Sequence, residues 1–99
     1  MSAVELYCFR CADPMRRVRG ELTCMPGEMG LSKVVETTLL QRFGERVDMC
    51  AAPPARLSAW YCPGCRDPLA DDMSCSKCRE TLFDLRFQLV ELHPHRHER

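Results

Sequence analysis

Between residues 31 and 43, apolar side chains return every four positions, at Leu31, Val35, Leu39 and Phe43, with Val34 and Leu40 alongside. That spacing places one apolar stripe on a helix, and it predicts a helix over about residues 32–43. Ser32 is placed to cap its start, Arg42 lies in its last turn, and Gly44 stands just past its end. The β-branched Val34, Val35, Thr37 and Thr38 lower helix propensity and leave a strand as the alternative. The stripe reads as core packing in preference to a groove for a partner. Elsewhere the period is two. Met15 to Arg19 alternates, Gly20 supplies a turn and Glu21–Cys24 returns, which predicts a hairpin. Leu57, Ala59 and Tyr61 alternate with Ser58 and Trp60 as a short strand. Phe83, Leu85, Phe87 and Leu89 alternate with Asp84, Arg86, Gln88 and Val90, predicting a long last strand over 81–92. A strand of that length is expected to pair with the N-terminal part of the chain as well.

Against this patterning, the cysteines stand out. There are eight in 99 residues, in a chain small enough that burial alone leaves little net stability and a staple is expected. Cys62-Pro63-Gly64-Cys65 and Cys75-Ser76-Lys77-Cys78 form two Cys-x-x-Cys pairs. Each pair lets a tight turn aim both sulfurs at one ion, and two pairs complete the tetrahedral S4 shell that zinc prefers. Cys8, Cys11 and Cys24 make a second set that lacks a fourth ligand locally, because Cys24-Met25-Pro26-Gly27 has no second cysteine. Cys50 is the remaining cysteine and is assigned to close that site. Closure by Glu28, a three-thiol site, and Cys50 as a plain thiol are the competing readings. Two Zn2+ ions are therefore expected, with iron the alternative metal for four thiolates. A secreted disulfide framework is disfavoured: the N-terminus has no charged region followed by an apolar run, and six of the eight cysteines sit in Cys-x-x-Cys pairs. The expectation is a reduced, cytoplasmic protein. No apolar run approaches the roughly 18 residues of a membrane span.

The chain also repeats itself. Cys8-Phe9-Arg10-Cys11-Ala12-Asp13-Pro14-Met15 matches Cys62-Pro63-Gly64-Cys65-Arg66-Asp67-Pro68-Leu69, and Cys75 to Leu82 is a looser third copy. On these residues, Cys62 to Cys78 with the segment after it resembles the zinc-ribbon (rubredoxin-like) superfamily, and Tyr7 to Cys24 resembles it more weakly. The resemblance implies a small zinc-binding α+β fold, with two ribbon-like lobes of short antiparallel strands and one intervening helix. Many ribbons carry glycine after the second cysteine of a knuckle, whereas this chain has Ala12, Arg66 and Arg79, which tolerate a left-handed backbone less well.

The expected organisation is an N-terminal lobe with its helix over 1–50, a Pro-rich linker over 51–56 around Pro53-Pro54, a C-terminal ribbon over 57–92, and a flexible tail over 93–99. His93, His95 and His97 read as part of a solvated tail in preference to a metal site.

Charge changes the functional picture only modestly. Fourteen basic and fourteen acidic side chains cancel, and eight thiolates on two zinc ions would shift the bound form to about minus four. That disfavours unspecific nucleic-acid binding, which needs a basic surface. No phosphate loop, nucleophile elbow or His-Glu-x-x-His occurs, and a closed all-cysteine shell leaves no position for water, so an enzyme and a small-molecule substrate are not expected. Trp60-Tyr61-Cys62-Pro63-Gly64-Cys65 has an aromatic before its cysteine pair, as thioredoxin-type redox motifs do, but lacks their strand-and-helix context. The leading expectation is a structural-zinc module that docks on a larger protein, with the methionines, Trp60 and Phe9 as available contacts. The alternative is nucleic-acid binding through Arg10, Arg16, Arg17 and Arg19, with Phe9 and Tyr7 for stacking. A zinc reserve is a third reading.

Overall fold

The computed structural model describes residues 4–25, 29–54 and 58–92. It is a small α+β arrangement with two short antiparallel sheets. Strands β1 (Arg16–Val18), β2 (Glu21–Cys24) and β3 (Met29–Gly30) form the first sheet in that order. Helix α1 (Lys33–Phe43) follows and runs on into a 3-10 turn, Gly44–Arg46. Strands β4 (Ser74–Cys75) and β5 (Glu80–Thr81) form the second sheet, succeeded by a 3-10 turn, Phe83–Leu85, and helix α2 (Arg86–Leu92).

The β1–β2 hairpin turns through Arg19 and Gly20, both at positive φ (54° and 85°), between the paired residues Val18 and Glu21. A two-residue turn with both central residues left-handed matches the right-handed twist of the strands it joins. Helix α1 starts where the sequence places it: the Ser32 hydroxyl accepts the Val35 backbone N–H at 3.4 Å, satisfying one of the donors orphaned at a helix start. Leu31, Val35, Leu39 and Phe43 are all buried, so the four-residue stripe is core. The expected left-handed stop at Gly44 does not occur. Gly44 stays right-handed (φ −58°) and its N–H bonds the Leu40 carbonyl, carrying the chain into the 3-10 turn.

The long last strand is absent. Only Glu80–Thr81 is extended, and 83–92 is helical, so the described chain has two helices where one was expected. Leu82, Leu85 and Leu89 are buried, spaced by three and four residues, while Phe83 and Phe87 are exposed. A helix buries all three leucines and bonds its own backbone. A strand over the same residues would need a partner edge for each N–H and C=O, and β4 offers two residues. Of the predicted strand around Tyr61, an isolated bridge from Tyr61 to Pro68 remains. Leu57, part of the predicted linker and the tail over 93–99 lie outside the described residues.

The sequence repeat is carried into the backbone in detail. Tyr7 bridges Pro14 as Tyr61 bridges Pro68, a shift of 54 residues. At the same shift, Cys8 N–H to Asp13 C=O, Ala12 N–H to Cys8 C=O and Met15 N–H to Leu6 C=O recur as Cys62 to Asp67, Arg66 to Cys62 and Leu69 to Trp60. Beyond the hairpins the shift becomes 51, because the first hairpin is three residues longer. The pairs Thr23–Gly30 and Cys24–Met29 match Ser74–Thr81 and Cys75–Glu80, and Leu31 N–H to Leu22 C=O matches Leu82 N–H to Met73 C=O. Each half is thus a knuckle, a hairpin, a further short strand pair and a helix.

The two halves clasp through their knuckles. Tyr7 N–H donates to Pro63 C=O at 2.8 Å and Tyr61 N–H donates to Phe9 C=O at 2.7 Å, a reciprocal pair that relates the knuckles by an approximate two-fold axis. The Arg66 guanidinium donates to the Ala12 and Ala51 carbonyls and lies over the Tyr7 ring. From the end of α1, Arg42 pairs with Asp84 and Arg46 with Glu80, and just beyond it Asp48 pairs with Lys77. Buried side chains of both halves form one contiguous cluster, from Leu6 and Phe9 through Phe43 to Leu82 and Leu89.

Candidate metal centres

Two groups of cysteines converge. The Sγ atoms of Cys62, Cys65, Cys75 and Cys78 all lie within 4.8 Å of one another, as do those of Cys8, Cys11 and Cys24. None of the eight cysteines, all among the described residues, is in a disulfide. Each knuckle is bent by a left-handed residue after its second cysteine: Ala12 (φ 64°), Arg66 (φ 69°) and Arg79 (φ 60°). A residue with a Cβ is strained there by about 1 kcal/mol, so the geometry that glycine makes easy is adopted here without it.

In the four-cysteine group, Cys62 and Cys78 are 3.6 Å apart and Cys65 and Cys75 are 3.5 Å apart. Four thiolates around one ion at ~2.3 Å stand about 3.8 Å from each other, so this spacing needs little change to take a metal. The backbone N–H groups of Gly64 and Cys78 point at Cys62 Sγ and Cys75 Sγ, bonds that favour a thiolate. In the three-cysteine group the Arg10 N–H points at Cys8 Sγ, and the Cys11 and Cys24 sulfurs stand 3.0 Å apart.

Crowding thiols together resists their ionisation in the absence of a cation. Burial pushes the Cys62 and Cys78 thiols up, and Cys65 up to about 12. Cys75 goes the other way: burial opposes its thiolate, but sulfur-directed hydrogen bonds, first from the Cys78 N–H, outweigh it and lower its pKa. At Cys8 the contact with Cys11 favours the thiolate, yet the Cys24 contact, burial and the neighbouring Cys24 charge together raise it to about 12. Cys11 is raised by its contacts with Cys24 and Cys8 and by burial. A divalent cation reverses this balance, since each thiolate then faces a positive charge. The donor sets therefore fit a metal, and both clusters could hold one.

The surroundings of the two clusters differ. All four thiols of the second are buried, whereas Cys11 in the first is half-buried. Gly64 lets the end of α1 press onto the second knuckle: a Cβ there would stand 3.3 Å from Cys78 Sγ and 3.5 Å from the Phe43 ring, and Asp48 N–H bonds the Gly64 carbonyl. The matching residue of the first knuckle is Arg10, whose guanidinium lies 4.6 Å from the Trp60 ring centre, with Trp60 stacked on Phe9.

Cys50 is not brought into the first group. It is exposed, its N–H bonds the Asp48 carboxylate, and it lines a groove of about 480 Å³ with Pro53, Pro68, Lys77 and Cys65 of the second group. The reason is the clasp: 48–51 is tied to the second knuckle by Asp48 and Arg66. Glu28 lies outside the described residues.

Of the four arginines considered for nucleic acid, Arg17 is committed to Glu5 and to the buried Glu36, and Arg10 to Trp60. Arg16 and Arg19 are exposed. Phe9 and Tyr7 are buried, as are Met15 and Met73, while Met25 and Met49 are exposed. One feature missed in the sequence is an exposed apolar stripe on α2 and the turn before it, made by Phe83, Phe87 and Val90. The same segment, counted at helical spacing, contained that signal. Among the described residues no helix is long and apolar enough to cross a membrane.

The fold and sites define an α+β chain of two repeats with two cysteine clusters able to hold metal ions. Comparison with family models, curated proteins and solved structures finds no match for it.

Proposed function

We propose that this is a structural-zinc module of two ribbon-like repeats, with Cys62, Cys65, Cys75 and Cys78 holding one ion and Cys8, Cys11 and Cys24 contributing to a second, and that it docks on a larger protein as an accessory or regulatory subunit. The reading is of a binding module and not an enzyme, acting in a reducing compartment such as the cytoplasm. Zinc suits the thiol donor sets, and binding it would couple to folding in a chain this small.

The observation that carries the docking reading is the α2 stripe. Phe83, Phe87 and Val90 are exposed to 47, 72 and 51%, opposite the leucines that anchor the helix. The Arg86 guanidinium carbon lies over both Phe83 and Phe87, 3.9 and 4.7 Å from their ring centres. A cation set among exposed aromatics fits a partner surface of apolar side chains with a carboxylate. A second copy fits less well: antiparallel pairing centred on Phe87 would bring two Arg86 side chains together, and so short a stripe falls well below the ~800 Å² per partner of a stable interface. Nucleic-acid binding is the weaker alternative, because Arg17 and Arg10 are engaged within the protein.

The test is capture of a partner by zinc-loaded wild type, Phe87→Ser and zinc-stripped protein. A partner kept by wild type, and lost by Phe87→Ser at unchanged metal content and melting temperature, supports the reading. Capture indifferent to Phe87→Ser removes the stripe from it.

A further inference from the structure

We propose that Cys50 and Cys65 form a reversible redox pair: oxidation joins them in a disulfide and takes Cys65 away from the metal of the second cluster. The inference rests on the reading that Cys62, Cys65, Cys75 and Cys78 hold a zinc ion.

The thiol that belongs to neither cluster is held against the second knuckle. Residues 48–51 make a turn closed by the Ala51 N–H, which donates to the Asp48 carbonyl at 3.1 Å. One end of the turn is fixed by the Asp48 N–H on the Gly64 carbonyl at 2.9 Å and by the Tyr7 hydroxyl on the Asp48 carbonyl at 2.8 Å. The other end is fixed by the Arg66 guanidinium, which donates to the Ala51 carbonyl at 3.3 Å. Gly64 and Arg66 flank Cys65 in the chain, so the turn that carries Cys50 is anchored on both sides of it. The main-chain bond between the segments sets their backbones at the close approach a disulfide requires. Cys50 and Cys65 also line one groove of about 480 Å³, together with Lys77. Burial separates their roles. Cys50 is the exposed cysteine, whereas the four thiols of the second cluster are buried, so an oxidant in solution meets Cys50 first.

A peroxide is the class of oxidant that starts such a step. The Cys50 sulfur attacks one peroxide oxygen, the O–O bond breaks, and Cys50 sulfenic acid and water form. The Cys65 thiolate then attacks the Cys50 sulfur: the S–S bond forms, the S–O bond breaks and hydroxide leaves. Two electrons pass from the pair of sulfurs to the peroxide. The cluster is left with three thiolates, a weaker set than the closed S4 shell. A dithiol reductant returns both thiols by exchange, becoming a disulfide itself.

The experiment uses the full chain loaded with zinc, hydrogen peroxide as the oxidant and a coloured chelator to read released metal. Zinc content before oxidation, in wild type and Cys62→Ser, tests the metal reading separately. Cys11→Ser, in which the second cluster is the remaining source of zinc, is then oxidised and compared with the same chain carrying Cys50→Ser as well. Wild type and Cys50→Ser give the same comparison with both clusters intact. Expected are release of the zinc of the second cluster, slowed about tenfold by Cys50→Ser, a Cys50–Cys65 crosslink in peptide mass spectra, and return of the zinc to the chain on adding dithiothreitol. Cys50→Ser melts as its parent does, because Cys50 is exposed and outside the cluster. Equal release with and without Cys50, Cys50 joined to any other cysteine, or a Cys50–Cys65 crosslink with the zinc retained overturns the switch and leaves the metal reading standing. Zinc content that Cys62→Ser does not lower overturns both.

Discussion

The two halves begin alike and end differently. Both knuckles share the same backbone hydrogen bonds and the same left-handed residue, shifted by 54 positions. The second half then closes its turn with Cys78, while the first runs into Met25 and Gly27 and follows with the longer helix, α1. Stability is apportioned accordingly. The first half supplies α1, whose far end covers the second cluster through Phe43 and Arg46. The second half supplies four buried thiols in return. The two repeats are thus unequal: the first carries the longer described helix and the second brings together four buried thiols, and the clasp between them is reciprocal.

That inequality is open to direct attack. Cys62→Ser is expected to have the largest effect: loss of one zinc ion by elemental analysis and destabilisation on the order of several kcal/mol, because metal binding and folding are coupled. Cys11→Ser should also lose one ion but melt closer to wild type, since its site is less enclosed; equal melting of the two variants would abolish the distinction. Next is α2. Leu89→Ala should cost about 2–4 kcal/mol in urea unfolding and Phe87→Ala within ~0.5 kcal/mol. A long strand would put both on one face, so similar costs would restore that arrangement.

Smaller effects probe the first half. Arg17 is hydrogen-bonded to the buried Glu36 at 2.8 Å and holds its carboxyl below the ordinary 4.5. A depressed carboxylate stabilises the fold above the ordinary value, and that contribution is lost as pH falls through the depressed one. Glu36→Gln should therefore cost about 1–2 kcal/mol at neutral pH, with its difference from wild type shrinking below pH 4.5. A pH-independent difference would mean that packing, not charge, is what Glu36 supplies. The smallest expected change is a gain: Arg79→Gly, at an exposed residue with φ 60°, should add about 0.5–1 kcal/mol. A loss there would show that its side chain has a role the backbone strain conceals.

Much of this was legible in the chain. The spacing of Leu31, Val35, Leu39 and Phe43, with Ser32 ahead of them, fixed α1, because helix periodicity and capping are local properties. The cysteine spacing marked the knuckles, because a tight turn between two cysteines is local too. The segment after Thr81 was not legible in the same way. Its apolar residues satisfy both periods, Phe83, Leu85, Phe87 and Leu89 for a strand and Leu82, Leu85 and Leu89 for a helix. Only the shape of the shared core chooses the leucines. The position of Cys50 was equally out of reach, since no local rule says which half a thiol between two prolines and a helix will lie against. Sequence by itself determined the repeat, the helix at its centre and the residues able to bind metal. The tertiary structure decided which face of α2 is buried, how the knuckles clasp and where Cys50 goes, because each depends on contacts between residues far apart in the chain.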